Sequence, residues 1–272
     1  MKLLVPIDFT PITRNALDHA VELSKTLGGE IELLHIVAKD SEHQGAKDRL
    51  HSIIAELNPT DQKLVGCRVV TGSIFKDIAA AAEDGNAQLL IMGTHGAKGL
   101  QKIFGSFAIK VVTSAKTPFI ITQSRRPEGK IEKIVMPVDL SKESVQIVKV
   151  SAELAKKFQA QIHVICKHES DEWLAKKVKI NISSAKIVLN DEKVPYEIVT
   201  LPGKSSLDKE VQQYGEKIGA GLYAITHFSE SILPQFDTFS QEMITNNAGI
   251  PVLIMNAQQM HSVNSQFTFI TI

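Results

Sequence analysis

Asp8 and the stretch MGTHGAKGLQKIFGS (residues 92–106) are the parts of this chain whose types and spacing suggest chemistry. Gly93, Gly96 and Gly99 permit unusual backbone angles and leave N–H groups open to a close ligand. Gly105 and Ser106 fall where a following helix begins, and unpaired N–H groups there favour an anion such as phosphate. The Ser106 hydroxyl can add a hydrogen bond, and Lys98 is a less specific cationic partner. The stretch is not a P-loop, because Lys98 is followed by Gly99 rather than by Ser or Thr. Taken alone, the glycines could equally end a strand and cap a helix. Asp8 alters that balance, since an acid at the end of a first strand suits a ribose hydroxyl or a base.

These residues need strands and helices to bring them together. LLVPI is a short apolar run that fits a strand covered on both faces. Thr10-Pro11 reads as a cap and a first-turn proline, and NALDHAVELSKTL has helical apolar spacing until Gly28-Gly29 stops it. IELLHIV predicts a second strand, residues 46–57 a second helix, VGCRVVTG a third strand and FKDIAAAAEDG a third helix. QLLIMG is the fourth strand, a fourth helix is expected around 105–115, and TPFIITQ is the fifth strand. Such alternation means a parallel sheet with helices on both faces, whose ligand edge lies at the carboxyl ends of the strands.

The pattern then repeats. KLLVPIDFT (2–10) returns as KIVMPVDLS (133–141), and ELSKTLGGEIELLHI (22–36) as ELAKKFQAQIHVICK (153–167), in one ungapped register. The chain is therefore a tandem duplication, with QSRRPEGKIE (123–132) as the seam. Residues 1–124 form the first domain and 130–257 the second, with 258–272 as a tail. The tail ends in QFTFITI, whose alternation predicts an extra edge strand.

The second copy keeps the first-strand acid as Asp139 but loses the glycines. Aligning Pro118 with Pro251 sets Thr226 at Gly93, Ser229 at Gly96 and Thr238-Phe239 at Gly105-Ser106. Side chains then stand where phosphates would approach the backbone. Cys166, His168, His227 and Asp139 lie near strand ends and could be weighed as a zinc set, but solvated strand-end histidines are the simpler reading. His35 and His95 are best read as histidines bonded to backbone. No metal site is expected, and no residue has an evident positioned base, so no catalytic residue is assigned.

Lys+Arg and Asp+Glu both total 30, which leaves no net charge and argues against a general nucleic-acid or membrane surface. Cys67 and Cys166 have no CxxC spacing and read as free thiols. The absence of a long apolar run or a signal core makes the expected location cytoplasmic.

PIDFT at a first strand end, with MGTHGAKGLQKIFGS after a fourth strand, resembles the universal stress protein family. The resemblance implies two tandem Rossmann-like α/β domains of the adenine nucleotide alpha hydrolase-like kind, each a five-stranded parallel sheet in the order 3-2-1-4-5 flanked by helices. It implies ATP, with Mg²⁺, and the loss of the glycines from the second copy confines that expectation to the first domain. Pro6, Ile7 and Asp8 would stand beside adenine or ribose, and Ile36 against the base. Met92, Gly93, Gly96, Lys98, Gly105, Ser106 and Phe107 would hold ribose and phosphates. The family pattern has nine residues before its Gly-Ser, and this chain has AKGLQKIF, one fewer. The resemblance also implies that the fifth strands, TPFIIT and IPVLIM, pair the two halves as an intramolecular pseudo-dimer, with a homodimer as the other assembly. The expected function is a cytoplasmic, nucleotide-responsive binding or regulatory module of the stress response. The alternatives are a scaffold that binds protein partners without nucleotide and a slow ATPase.

Overall fold

The computed structural model describes residues 1–94, 115–123, 129–227 and 237–257. Contacts divide the chain into two units, the first within residues 1–123 and the second within 129–257.

In the first unit β1 (Lys2–Pro6) is followed by α1 (Pro11–Leu27), β2 (Glu30–Val37), α2 (His43–Ala55), the short α3 (Pro59–Gln62), β3 (Val65–Thr71), α4 (Ile74–Asp84), β4 (Leu89–Thr94) and β5 (Phe119–Gln123). The strands run parallel in the order β3-β2-β1-β4-β5. Leu3 is the centre of that register, opposite Ile31 on one side and Leu89 on the other. Strand order reverses between β2 and β4 around β1, which places a crevice at the carboxyl end of β1.

The apolar spacing of α1 buries Ile12, Ala16, Leu17, Ala20, Leu23 and Leu27. Pro11 occupies its first turn, and Gly28 ends it in the left-handed region at φ 68°, donating its N–H to Ser24 O at 2.9 Å. Thr10 stands at the cap position, yet its side chain makes no capping bond and donates instead to Asp8. The second helix begins at His43 and ends at Ala55 rather than spanning 46–57. Asn58 then caps α3, its Oδ1 accepting from Thr60 N–H at 3.1 Å and Asp61 N–H at 2.9 Å.

The second unit repeats the plan with β6 (Lys133–Pro137), α5 (Val148–Phe158), β7 (Gln161–Lys167), α6 (Glu172–Asp191), β8 (Tyr196–Leu201), α7 (Leu207–Ile218), β9 (Leu222–His227), α8 (Thr238–Ile244) and β10 (Val252–Asn256). Its strands are parallel in the order β8-β7-β6-β9-β10. Gln159 takes the left-handed cap position at φ 56° that glycine fills in the first copy. Both units close the turn after their third strand in the same way. Asp77 of α4 accepts from Ser73 N–H, and Glu210 of α7 accepts from Gly203 N–H at 3.0 Å and Ser205 N–H at 2.8 Å.

Candidate functional site

The carboxyl edge of the first sheet is built outward from β1. Pro6 pairs with Leu34, and Ile7 continues the strand by donating its N–H to Leu34 O at 2.8 Å. Ile7 is buried, so its side chain belongs to the core and only its backbone reaches the edge. Asp8 is exposed. Its Oδ1 accepts from Thr10 N–H at 2.9 Å and from Thr10 Oγ1–H at 2.6 Å. This Asx-type turn holds the carboxylate at the strand end and leaves Oδ2 without a protein donor among the described residues. An acceptor fixed in this way fits a sugar hydroxyl.

Ile36 lies near the end of β2, half-buried and opposite Val70. Met92 and Gly93 lie at the end of β4, opposite Ile121 and Thr122. Pro6, Asp8, Ile36, Met92 and Gly93 are thus brought to one edge by three adjacent strands. Gly93 has a second reason to be glycine. A Cβ there would stand 2.4 Å from Ile12 O and 2.7 Å from Ile12 Cγ2, because the first turn of α1 crosses β4 at that point. Thr94, next in the strand, is fully buried, and its hydroxyl has no hydrogen-bond partner among the described residues. Gly96, Lys98, Gly105, Ser106 and Phe107 lie outside the described residues, as does His95.

Two side chains at this edge, Phe9 and Arg49, were not singled out from the sequence. Phe9 follows Asp8 in the left-handed region at φ 66°, a rare conformation for an aromatic residue. Its ring meets His35 at a centroid distance of 4.4 Å, and the Arg49 guanidinium lies 3.7 Å over its centroid. His35 is half-buried and bonds through Nδ1 to Ile7 O at 2.6 Å, as the backbone-bonded reading expects. The D-x-T spacing of Asp8 and Thr10 is a legible turn signal, whereas the Phe9 stack joins residues 9, 35 and 49 and has no local signature.

The corresponding edge of the second unit keeps the same turn, with Asp139 exposed as Asp8 is, but surrounds it with other groups. Asp139 Oδ1 accepts from Ser141 N–H at 2.8 Å, and its own N–H donates to Ser144 Oγ at 3.2 Å. Asn181 of α6 clamps the same loop, donating to Asp139 O at 2.8 Å and Ser141 O at 3.0 Å. Desolvation raises the Asp139 carboxyl above its ordinary range, and the nearby Asp237 carboxylate adds to the shift.

His227 ends β9 and is only 2% exposed, so the solvated strand-end histidine expected there is in fact buried. It sinks because a carboxylate comes to it: Nδ1 lies 2.9 Å from Asp237 Oδ2. Asp237 also caps α8, accepting from Ser240 N–H at 2.8 Å and Ser240 Oγ–H at 2.7 Å. Burial acts to raise its pKa, but the bonds from His227 and Ser240 outweigh burial and hold it below the usual carboxylate value. The start of this helix therefore already holds a negative charge supplied by the chain. Aspartate before a helix is a legible cap signal, although its histidine partner is not.

The other weighed metal ligands do not converge. Cys166 Sγ contacts Thr200 Oγ1 at 3.4 Å and Val199 O at 3.7 Å, and both cysteines are free. Among the described residues no group of three or more His, Cys, Asp or Glu side chains could hold a metal ion. No described helix is long and apolar enough to cross a membrane.

Fold and site together define a duplicated α/β protein with a doubly wound parallel sheet in each half and an acid at the end of each first strand. Residues 1–123 match the model of the Universal stress protein family. Universal stress protein MJ0531 of Methanocaldococcus jannaschii is 24% identical over 143 residues, spanning 47% of this chain and 84% of that protein. Universal stress protein MJ0577 of the same organism is 23% identical over 155 residues, spanning 46% of this chain and 95% of that protein. The crystal structure of a universal stress protein from Archaeoglobus fulgidus shares the fold, with a TM-score of 0.71 at 19% identity over 94% of this chain and 98% of that one.

Proposed function

We propose that the first unit binds an adenine nucleotide at the carboxyl ends of β1, β2 and β4, and that the second unit does not. The observation that carries this reading is the carboxylate of Asp237, which the second edge adds beside a strand-end acid that is exposed in both units. In the first unit the strand-end acid, Asp8, is turned to solvent with one oxygen uncommitted. In the second unit Asp237 lies beside Asp139, is bonded to His227 and fills the start of α8. A phosphate brought there would meet two carboxylates in place of open N–H groups, and like charges at short range repel strongly.

In this reading Asp8 orients the ribose, Ile36 and Met92 face the base and sugar, and Gly93, Gly96, Gly105, Ser106 and Phe107 line the phosphates, with Lys98 beside them. Mg²⁺ would be carried by the phosphates, since the protein supplies no dedicated carboxylate set among the described residues. The protein then acts as a cytoplasmic nucleotide-responsive binding module of the stress response. No positioned general base accompanies Asp8 among the described residues, so binding is favoured over turnover.

Equilibrium dialysis of the full chain against labelled ATP tests the proposal. One nucleotide per chain is expected, with Asp8→Ala weakening binding about tenfold, the scale of one charge-assisted hydrogen bond. Gly105→Trp is expected to abolish binding, and Asp139→Ala to leave it unchanged. Two nucleotides per chain, or loss on Asp139→Ala with Asp8→Ala silent, would reverse the assignment. For assembly, we propose that the duplicated chain makes its own pair, so light scattering is expected to give the monomer mass of 29.9 kDa.

A further inference from the structure

The described residues include four large apolar side chains that are exposed, and all four belong to the second unit: Leu140, Trp173, Ile180 and Ile187. Trp173, Ile180 and Ile187 are 62%, 57% and 63% exposed and sit on α6 at intervals of seven residues. Seven residues are close to two helical turns, so the three form one file along the outer face, about 21 Å from end to end. The opposite face carries the buried Val178, Asn181, Ala185 and Leu189, which dock the helix onto its own unit. Leu140 lies in the loop after β6, whose carbonyls on either side of it Asn181 holds, and is not part of the file. In the first unit α2 exposes Gln44, Lys47, Asp48, Arg49, His51 and Ser52, with no large apolar residue among them.

Charge on the exposed sides of the same helix, close to the file for Lys176 and Lys177 and at its margin for Lys179 and Lys186, narrows what would cover it. Lys176, Lys177, Lys179 and Lys186 are exposed, and no Asp or Glu occurs between Trp173 and Asn190. The chain as a whole has no net charge, so this is a local feature. Lys177 Nζ lies 3.6 Å over the Trp173 ring. A second copy of α6 would set lysine against lysine. Residues 258–272 contain no Asp or Glu and offer nothing to four lysines. A bilayer calls for a continuous apolar face with lysines at its margins, whereas Lys176 and Ser183 lie on the outer face with the file itself. Single-file apolar residues at heptad spacing, with the small Ser183 and Ser184 between them, suit the close approach of another helix.

We infer that the outer face of α6 docks an acidic amphipathic helix of a partner protein. Trp173, Ile180 and Ile187 would meet the apolar seam of that helix, and the lysines its acidic flanks. The duplication then divides labour: one copy keeps the open strand-end edge and the other gains a docking helix.

Trp173 is the chain's single tryptophan and reports directly on the proposed seam. The intact protein is titrated with a synthetic 21-residue helical peptide bearing leucine at every seventh position and glutamate alongside. A blue shift of Trp173 emission that saturates is expected, with binding weakened by 0.3 M salt. Ile187→Asp and the pair Lys176→Glu/Lys177→Glu should each weaken binding at least tenfold while keeping far-UV circular dichroism and the urea midpoint. The inference is overturned by no shift, by variants that bind as well as the parent, or by a shift with phosphatidylserine vesicles and not with the peptide. A shift that appears with protein concentration alone also overturns it, because the occupant is then a second copy.

Discussion

Replacing Asp237 with alanine tests whether the second unit supplies its own anion. The substitution removes the acceptor for Ser240 N–H at 2.8 Å, Ser240 Oγ–H at 2.7 Å and His227 Nδ1 at 2.9 Å. Loss of the cap costs about 1 kcal/mol, and loss of a charge-assisted bond to a buried histidine about 1.5–3 kcal/mol. The bonds share one carboxylate and are not additive, so a total of about 2–4 kcal/mol is expected. Urea unfolding followed by the near-UV circular dichroism of Tyr223, which is fully buried in β9, reads the second unit. With a urea slope of about 1.5 kcal/mol/M the midpoint should fall by roughly 1.3–2.7 M. Asp237→Asn keeps an acceptor for the cap and should recover part of the loss. The carboxyl is held below its ordinary value when folded, so its contribution is full above the unfolded pKa and fades as pH falls through the folded one. The deficit of the alanine variant should accordingly shrink toward pH 4 and below. A midpoint within 0.3 M of the parent at pH 7, or equal losses for alanine and asparagine, would refute the reasoning.

Two further predictions concern sites away from this cap. Gly93→Ala forces a Cβ to within 2.4 Å of Ile12 O and should destabilise the first unit by about 1–3 kcal/mol, read by circular dichroism because Trp173 and the tyrosines lie in the second. An unchanged far-UV melting curve would show that α1 can slide off β4 at little cost. Glu153 of α5 has a buried Oε2 that meets no donor among the described residues, and burial lifts its pKa to about 7, with Lys149 opposing. A raised acid pKa means that stability falls as pH rises from the unfolded value near 4.5 through about 7 and is level beyond. Glu153→Gln should therefore stabilise the second unit by about 1–2 kcal/mol at pH 8, allowing for solvent screening, and by almost nothing at pH 5. A gain of equal size at both pH values would point to packing instead.

By itself the sequence determined the duplication, the strand–helix alternation, the parallel sheets and the placing of Asp8 and Asp139 at strand ends. These follow from spacing along the chain: apolar runs, helical stripes, and a register held at 131 residues from Asp8 to Asp139. Helix edges were less legible, because Asn58 starts a new turn where apolar periodicity alone would carry α2 onward. Only the tertiary structure decided which groups meet. Gly93 is explained by the crossing of α1 as much as by any ligand, since the constraint comes from Ile12, eighty-one residues earlier. His227 is buried because Asp237 reaches it, and the Phe9, His35 and Arg49 stack joins three separate elements. The α6 file was open to periodicity, but its seven-residue step reads equally as a core seam or an outer face. Burial of Val178, Asn181, Ala185 and Leu189 on the other side settles which face looks outward. Periodicity says that a helix has an apolar stripe; the packing of its neighbours decides whether that stripe is covered.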